Sequence, residues 1–465
     1  MFSTTQRAGR RRMGAAFVGL SAVVAVSLTG CASAEQSGAA SQSAGAVPSR
    51  LDAALYAKAV AAAKQIAGGQ KLDKSVEMLG VNGGAEGDVL KGVYKAFTDA
   101  TGTTVNYTGT QDIINIVQSR VSAGNPPAIV DQSVGVASQY AAQGKLVDIG
   151  SVVGADKLKS TFGDSLVNGV TLNGKTFGLY QGFNNFMVWY NPQTYQGPKD
   201  PKSWDELVKY TDEQAAAGKQ TWCIAEDAGG GSGFPGAQFI ENIFAKKYGP
   251  ELLHQWGAGK LSWTSPQVKD AFQEFGKIAT DDKKVSGGRA GALASPIATG
   301  YNGLVAAKPT CQLALWGAWV PGLIGKDVKP TENLDFFRVP GFGNGKDGTE
   351  IFQTTVTTAF KDSPTTRAFL KYVASDEAQA LLASADQWPV ADLKVSPDTY
   401  KSPLLKKAAT TYFAGAKGVQ LSTGPNVMAN SAVQTAFFKG VVSYLQKPSS
   451  LDQVLKDIQA AATAQ

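Results

Sequence analysis

The sequence predicts an α/β protein with parallel strand pairing. Three observations carry that reading. β-rich segments alternate with stretches of helical periodicity, the alternation restarts midway along the chain, and no short-period repeat interrupts it. The chain has 465 residues, 43% hydrophobic and 18% charged, enough for a sizeable core in one or two domains. That composition excludes disorder over most of the length. A single insertable apolar run near the N-terminus excludes a polytopic membrane protein.

The first segment reads as an export signal. Arg7, Arg10, Arg11 and Arg12 precede an apolar stretch from Ala15 to Leu28, shorter than the ~20 residues of a stable span. Leu28-Thr29-Gly30-Cys31 resembles the bacterial lipobox, whose Cys is acylated and becomes the mature N-terminus. The alternative is a plain signal peptide with an incidental Cys. Residues 1–30 are therefore expected to be removed. Residues 31–50 read as a lipidated Cys31 and a flexible tether of Ala, Ser, Gly and Gln. The formal charge of +6 owes much to that signal: without its four arginines, 40 basic residues face 38 acidic ones. No nucleic-acid partner is expected from so even a balance. One His in the whole chain makes His-based metal sites and His-driven catalysis poor readings, and no cofactor or metal is expected.

The folded part begins with a helix over Asp52–Ala67, with Leu55, Ala59, Ala62 and Ile66 on one stripe, stopped by Gly68-Gly69. A strand over Ser75–Val81 and a turn at Gly83–Gly87 lead to a helix over Val89–Thr98. A second strand at Thr103–Tyr107, a helix at Ile113–Ala123 and a third strand at Ala128–Val130 complete the first run. The pattern restarts with a strand at Phe186–Tyr190, a helix at Trp204–Ala217 and a strand at Trp222–Ala225. Helices follow over Phe239–Trp256 and Val268–Thr280. Ile351–Phe360 reads as one long β-run, followed by a helix over Thr365–Ala374. Cys223 and Cys311, the two cysteines left after Cys31, read as one disulfide in an exported chain, with two buried free thiols as the alternative.

Several motifs invite chemistry. Gly231-Ser232-Gly233-Phe234-Pro235-Gly236 satisfies the Gly-x-Gly-x-x-Gly pattern, but no acid follows at the spacing a dinucleotide site needs, and a loop capping a helix is the better reading. Gly257-Ala258-Gly259-Lys260 lacks the Ser or Thr of a phosphate loop and reads as a turn. His254 sits among Leu252, Leu253 and Trp256 as a structural histidine. Eight tryptophans matter more. A sugar ring offers an apolar face of C–H groups to flat aromatic rings and an edge of hydroxyls to carboxylates and amides.

The order of short motifs resembles the extracellular solute-binding proteins of ABC importers, in the maltose-binding-like group of family 1 and its α-glucoside-binding branch. The resemblance rests on Phe97–Gly102 running into Val105–Thr110, and on Gly124-Asn125-Pro126-Pro127. It continues in Tyr180–Asn185 with Val188–Pro192, Trp222-Cys223-Ile224, Ser232–Gly236, Pro309-Thr310-Cys311, Pro425–Met428 and Phe437–Gly440. Ala128 and Thr423-Gly424 depart from the acidic residues usual in that family, and both bear on which sugar is held. The resemblance implies a two-lobed periplasmic-binding-protein fold with ligand between the lobes. Residues 51–180 plus 340–385 would form the N-terminal lobe and 181–339 plus 386–465 the C-terminal lobe, with hinge crossings near Tyr180, Pro340 and Asp386. It also implies a monomeric, non-enzymatic receptor, lipid-anchored at the outer face of the cell membrane, that hands an oligosaccharide to ABC importer membrane subunits. A surface glycosidase, or a receptor for a polyol, peptide or other non-sugar ligand, remains open. Trp316, Trp319 and Trp388 are the aromatic site candidates. Glu86, Gln111, Asp112, Asp131, Asn184, Asn185, Glu226, Phe234 and Asn426 complete the candidate set.

Overall fold

The computed structural model describes residues 47–110, 112–413 and 419–464. The export segment, Cys31, most of the tether and Gln111 lie outside the described residues. Two sheets organise the rest. The first has the strand order Thr104–Gly109, Ser75–Gly80, Ile129–Ser133, Thr355–Ala359, Leu179–Tyr180. Its first three strands are parallel, as strands joined by crossover helices must be, and the last two pairings are antiparallel. The helices Ala53–Ala67, Gly84–Thr101 and Pro364–Val373 bury Tyr56, Tyr94, Phe97, Phe369 and Tyr372 around it. Edge-to-face rings such as Tyr94–Phe369 and Phe97–Phe369 knit that core.

The second sheet runs Gln420–Ser422, Thr349–Gln353, Asn184–Tyr190, Leu313–Gly317, and Asp335–Phe337 also pairs with Asn184–Tyr190. Here the pairings of Asn184–Tyr190 are all antiparallel and only Thr349–Gln353 with Gln420–Ser422 is parallel, so the expectation of parallel pairing holds for the first three strands of the first sheet and fails for most of the rest. Phe234–Gly257, Pro266–Ala279 and Ser431–Gln446 form its main helical layer. Within Phe234–Gly257 the left-handed Gly249 precedes Pro250 and breaks the helix line. Cys223 and Cys311 are bonded, with their Cα atoms 5.4 Å apart.

Most predicted elements appear within a few residues of their expected ends, and four do not: the helix expected from Phe239 starts at Phe234, and three others differ as follows. The helix Gly84–Thr101 starts inside the expected turn, with Gly83 at its N-cap. Trp222 makes isolated bridges to Val285 and Leu313, so Trp222–Ala225 is a bridged loop, not a strand. The run Ile351–Phe360 is two strands in two different sheets, Thr349–Gln353 and Thr355–Ala359, divided at Thr354. The chain therefore changes sheet at Thr354 and not at Pro340. The intervening residues stay with the second sheet, where Gly341 accepts from the Trp204 amide and Asn344 donates to the Lys247 carbonyl.

The other passages between sheets lie at Gln181–Phe183 and, on the return, Asp386–Ala391. The Phe183 amide donates to Pro389 O (2.9 Å) and the Ala391 amide to Gln181 O (3.1 Å). Gly182 bridges Val390 in antiparallel fashion, and Thr354 Oγ1 donates to Gly182 O at 2.6 Å. The three passages thus lie side by side as one hydrogen-bonded ribbon.

Candidate binding cleft

The ribbon floors a cleft with two compartments. The first, of about 460 Å³, is lined by the residues that leave the parallel strands at their C-terminal ends, Val81, Asn82 and Ser133, by Asp131 and Gln132, and by Glu86 on the following helix. That is where open α/β sheets place ligands. Gln181, Gly182, Asn184 and Gln353–Thr355 come from the crossings, and Asn426 and Val427 from the short helix Pro425–Met428. The second compartment, of about 630 Å³, adds Met187, Trp189, Trp319, Phe336 and the turn Asp386–Trp388. Glu86, Asn184 and Trp388 line both, so the cleft is continuous.

Its electrostatics are one-sided. Among the described lining residues are Glu86, Asp131 and Asp386, and no Lys or Arg. Asp131 is 3% exposed; burial pushes its carboxyl up to about 6, against the partial relief of a 2.8 Å hydrogen bond from Thr355 Oγ1. Glu86, at the rim, is raised by the partial desolvation of the cleft walls. Asp386 is already engaged, accepting from the Lys401 and Ser402 amides. Gln181 is fixed by Tyr94 and donates to Thr357 Oγ1 at 2.8 Å. Such a wall offers carboxylates and amides to hydroxyl groups and repels anions.

The apolar side of the cleft is aromatic. Trp388 stands between the two compartments, 8% exposed. Trp319 meets Phe186 and Trp316 edge-on, at ring distances of 5.6 and 5.3 Å.

Six of the sequence-predicted site residues are thereby brought together: Glu86, Asp131, Asn184, Trp319, Trp388 and Asn426. Five do not line the cleft. Asp112 is exposed and accepts from Asn115 at the start of its helix. Asn185 is buried beside Asn184, since consecutive strand residues face opposite ways. Glu226 is fully buried, accepts from the Gly236 amide at 3.0 Å, and is pushed up to about 7 by burial. Phe234 packs on Trp316 and Phe438, and Trp316 stacks on Tyr301. Two of the three glycines of the Gly231–Gly236 motif, Gly233 and Gly236, are consumed by packing. A Cβ at Gly233 would lie 2.0 Å from Phe438 O, and one at Gly236 2.7 Å from Glu226 Oε1.

Sequence reasoning missed Asn82, Gln132, Gln181, Gly182 and Gln353–Thr355. Ile114 joins them at the cleft rim as a large hydrophobic residue 49% exposed, an exposure that only the assembled structure reveals.

Comparisons with known proteins agree with this geometry. The family model for bacterial extracellular solute-binding proteins matches residues 83–380. The α-glucosides-binding periplasmic protein AglE of Rhizobium meliloti is 28% identical over 388 residues, covering 79% of this chain and 83% of its own. The osmoprotective compounds-binding protein GgtB of Synechocystis sp. is 25% identical over 377 residues, covering 80% and 89%. Among solved structures, a chitin oligosaccharide binding protein superposes with a TM-score of 0.67 at 19% identity, covering 83% of this chain and 98% of its own. The solute receptor AcbH, described as preferring galactopyranose, does so at 0.70 and 18%, with the same coverage. The shared fold is the two-lobed one with the cleft at the crossings.

Proposed function

This chain belongs to the bacterial extracellular solute-binding protein family, and we propose that it captures a neutral oligosaccharide of the α-glucoside type by closing its lobes. One observation carries the reading. A continuous cleft sets tryptophan side chains opposite carboxylates and amides, and its described lining holds no cation. Indoles cover the apolar face of a sugar ring, and acceptors take its hydroxyl protons. A phosphorylated or otherwise acidic ligand would meet Glu86 and Asp131 without a counter-charge. The likeness to the Rhizobium α-glucoside receptor supports the linkage class.

In this reading the exported protein is a monomer held by lipid on Cys31 at the outer face of the cell membrane, and residues 32–46 give it reach; the expected tether ends earlier than residue 50, because Pro48 packs near Gly92 and Arg50 donates to Gln387. It performs no covalent chemistry and presents its ligand to ABC importer membrane subunits. A second reading, a receptor for a small polyol, is favoured by the likeness to the osmoprotectant receptor.

Calorimetric titration with maltose, maltotriose, trehalose, raffinose and sorbitol, with chromatography of each mixture, tests the proposal. Saturable binding of an α-glucoside with no product is expected. Binding of sorbitol alone would favour the second reading, and hydrolysis products would establish a glycosidase.

A further inference from the structure

Two of the three tryptophans that line the cleft, Trp388 and Trp319, lie on glycines. An ideal Cβ at Gly182 would fall 1.9 Å from Trp388 Cδ1 and 2.0 Å from Trp388 Nε1. One at Gly317 would fall 2.4 Å from Trp319 Cη2 and 2.5 Å from Cζ2 and Cζ3. Neither glycine has a positive φ, so conformational freedom is not what these positions require. What they supply is space. Gly182 is also held from behind, through its bridge to Val390 and the hydrogen bond from Thr354. Gly317 is the last residue of Leu313–Gly317 and pairs with Phe186.

The turn bearing Trp388 is fixed on its far side as well. Asp386 takes a left-handed φ of 59°, costly for a side-chain-bearing residue. Its carboxylate accepts from the Lys401 and Ser402 amides. Arg50 donates to Gln387 Oε1 at 2.8 Å, from just before the first helix. A rigid indole between such a clamp and a backbone cannot absorb an added methyl group. It must move by about 1.5 Å to restore ordinary contact at 3.4 Å, and the cleft is the open side.

We propose that Gly182 and Gly317 are specificity-determining positioning residues. By seating Trp388 and Trp319 against the backbone, they set the width of the two compartments and hence which ligand fits. The proposal rests on the sugar-receptor reading for its ligand but not for its geometry, so the two can fail separately.

The test is a double-mutant cycle on the full mature protein, read by titration with maltose and maltotriose and by ligand-free near-ultraviolet circular dichroism. Gly182→Ala should weaken binding of the probe sugars by at least tenfold. In a Trp388→Ala background the same change should alter affinity less than twofold. Gly317→Ala should behave likewise with Trp319→Ala. Additive effects, or unchanged affinity in folded Gly182→Ala, would overturn the proposal. If the wild type binds neither sugar, the ligand reading fails, and the dichroism decides the geometry. Gly182→Ala must then change the aromatic band that Trp388→Phe removes, and an unchanged band refutes the proposal. If Gly182→Ala does not fold, Gly182→Ala/Trp388→Ala should recover folding, and failure to recover it counts against the proposal.

Discussion

Raising the pH should destabilise the ligand-free protein through Asp131 while strengthening its grip on ligand. Burial disfavours the charge of this carboxyl and pushes it from the ordinary 3.8 up to about 6 in the fold. Between those values the folded state binds more protons than the unfolded one. Its contribution to stability is therefore complete below about pH 3.8 and is lost as pH rises through 6. The difference of roughly two pKa units, at 1.36 kcal/mol each, makes that contribution on the order of 3 kcal/mol. Glu226 and Glu241, pushed up to about 7 and about 8 by burial, slope the same way, so the wild-type curve alone would not isolate Asp131. Asp131→Asn keeps the shape and removes the titration. Urea unfolding of both proteins at pH 4 and pH 7.5 measures the difference: the wild type should lose more stability than the variant. Titration with the bound sugar should show the reverse slope, because the ionised carboxylate is the stronger acceptor for a hydroxyl. Equal pH dependence of unfolding in the two proteins would refute the assignment of the buried charge.

Trp319→Ala should weaken sugar binding by roughly ten- to a hundred-fold, the effect of losing about 1.5–3 kcal/mol of apolar contact. Calorimetry beside ligand-free melting checks this, and a fallen melting temperature with unchanged affinity would make Trp319 a core residue. Replacing Cys223 and Cys311 by Ser should cost up to about 4.6 kcal/mol of stability, the chain-entropy value for a sequence separation of 88 residues, measured by denaturant titration. Cys31→Ala should move the protein from the membrane to the soluble fraction after cell fractionation, and full retention at the membrane would count against the lipid anchor.

The parts of the fold that could be read in advance were those whose local pattern has one interpretation. Leu55, Ala59, Ala62 and Ile66 recur at helical spacing, and Asp52 caps the helix they predict, accepting from the Ala54 and Leu55 amides. The passage at Thr354 was hidden. Residues 351–360 are uniformly β-prone, and nothing in a strand's alternation records which sheet it joins. The same limit separates Asn184 from Asn185: alternation sends them to opposite faces, but only the assembled lobes decide which face is the cleft. Glu226-Asp227 looks like an exposed acidic loop until Phe234–Gly257 folds over it, and Gly236 then takes its carboxylate as a partner. Gly182 carried no signal, because its role lies in the absence of a side chain beneath a tryptophan two hundred residues away.

The ribbon of three crossings constrains how the halves can move. A single linker would leave one half free to swing and twist through a cone. Three strands of chain, tied to one another at Phe183–Pro389, Gln181–Ala391 and Gly182–Thr354, resist twisting and sliding and leave bending about their common line. Under the proposed closure the halves search an arc, so little orientational entropy would remain to be lost when they meet on a ligand. The same construction guards against exchange of halves between two molecules, since a swap would require all three threads to be released at once.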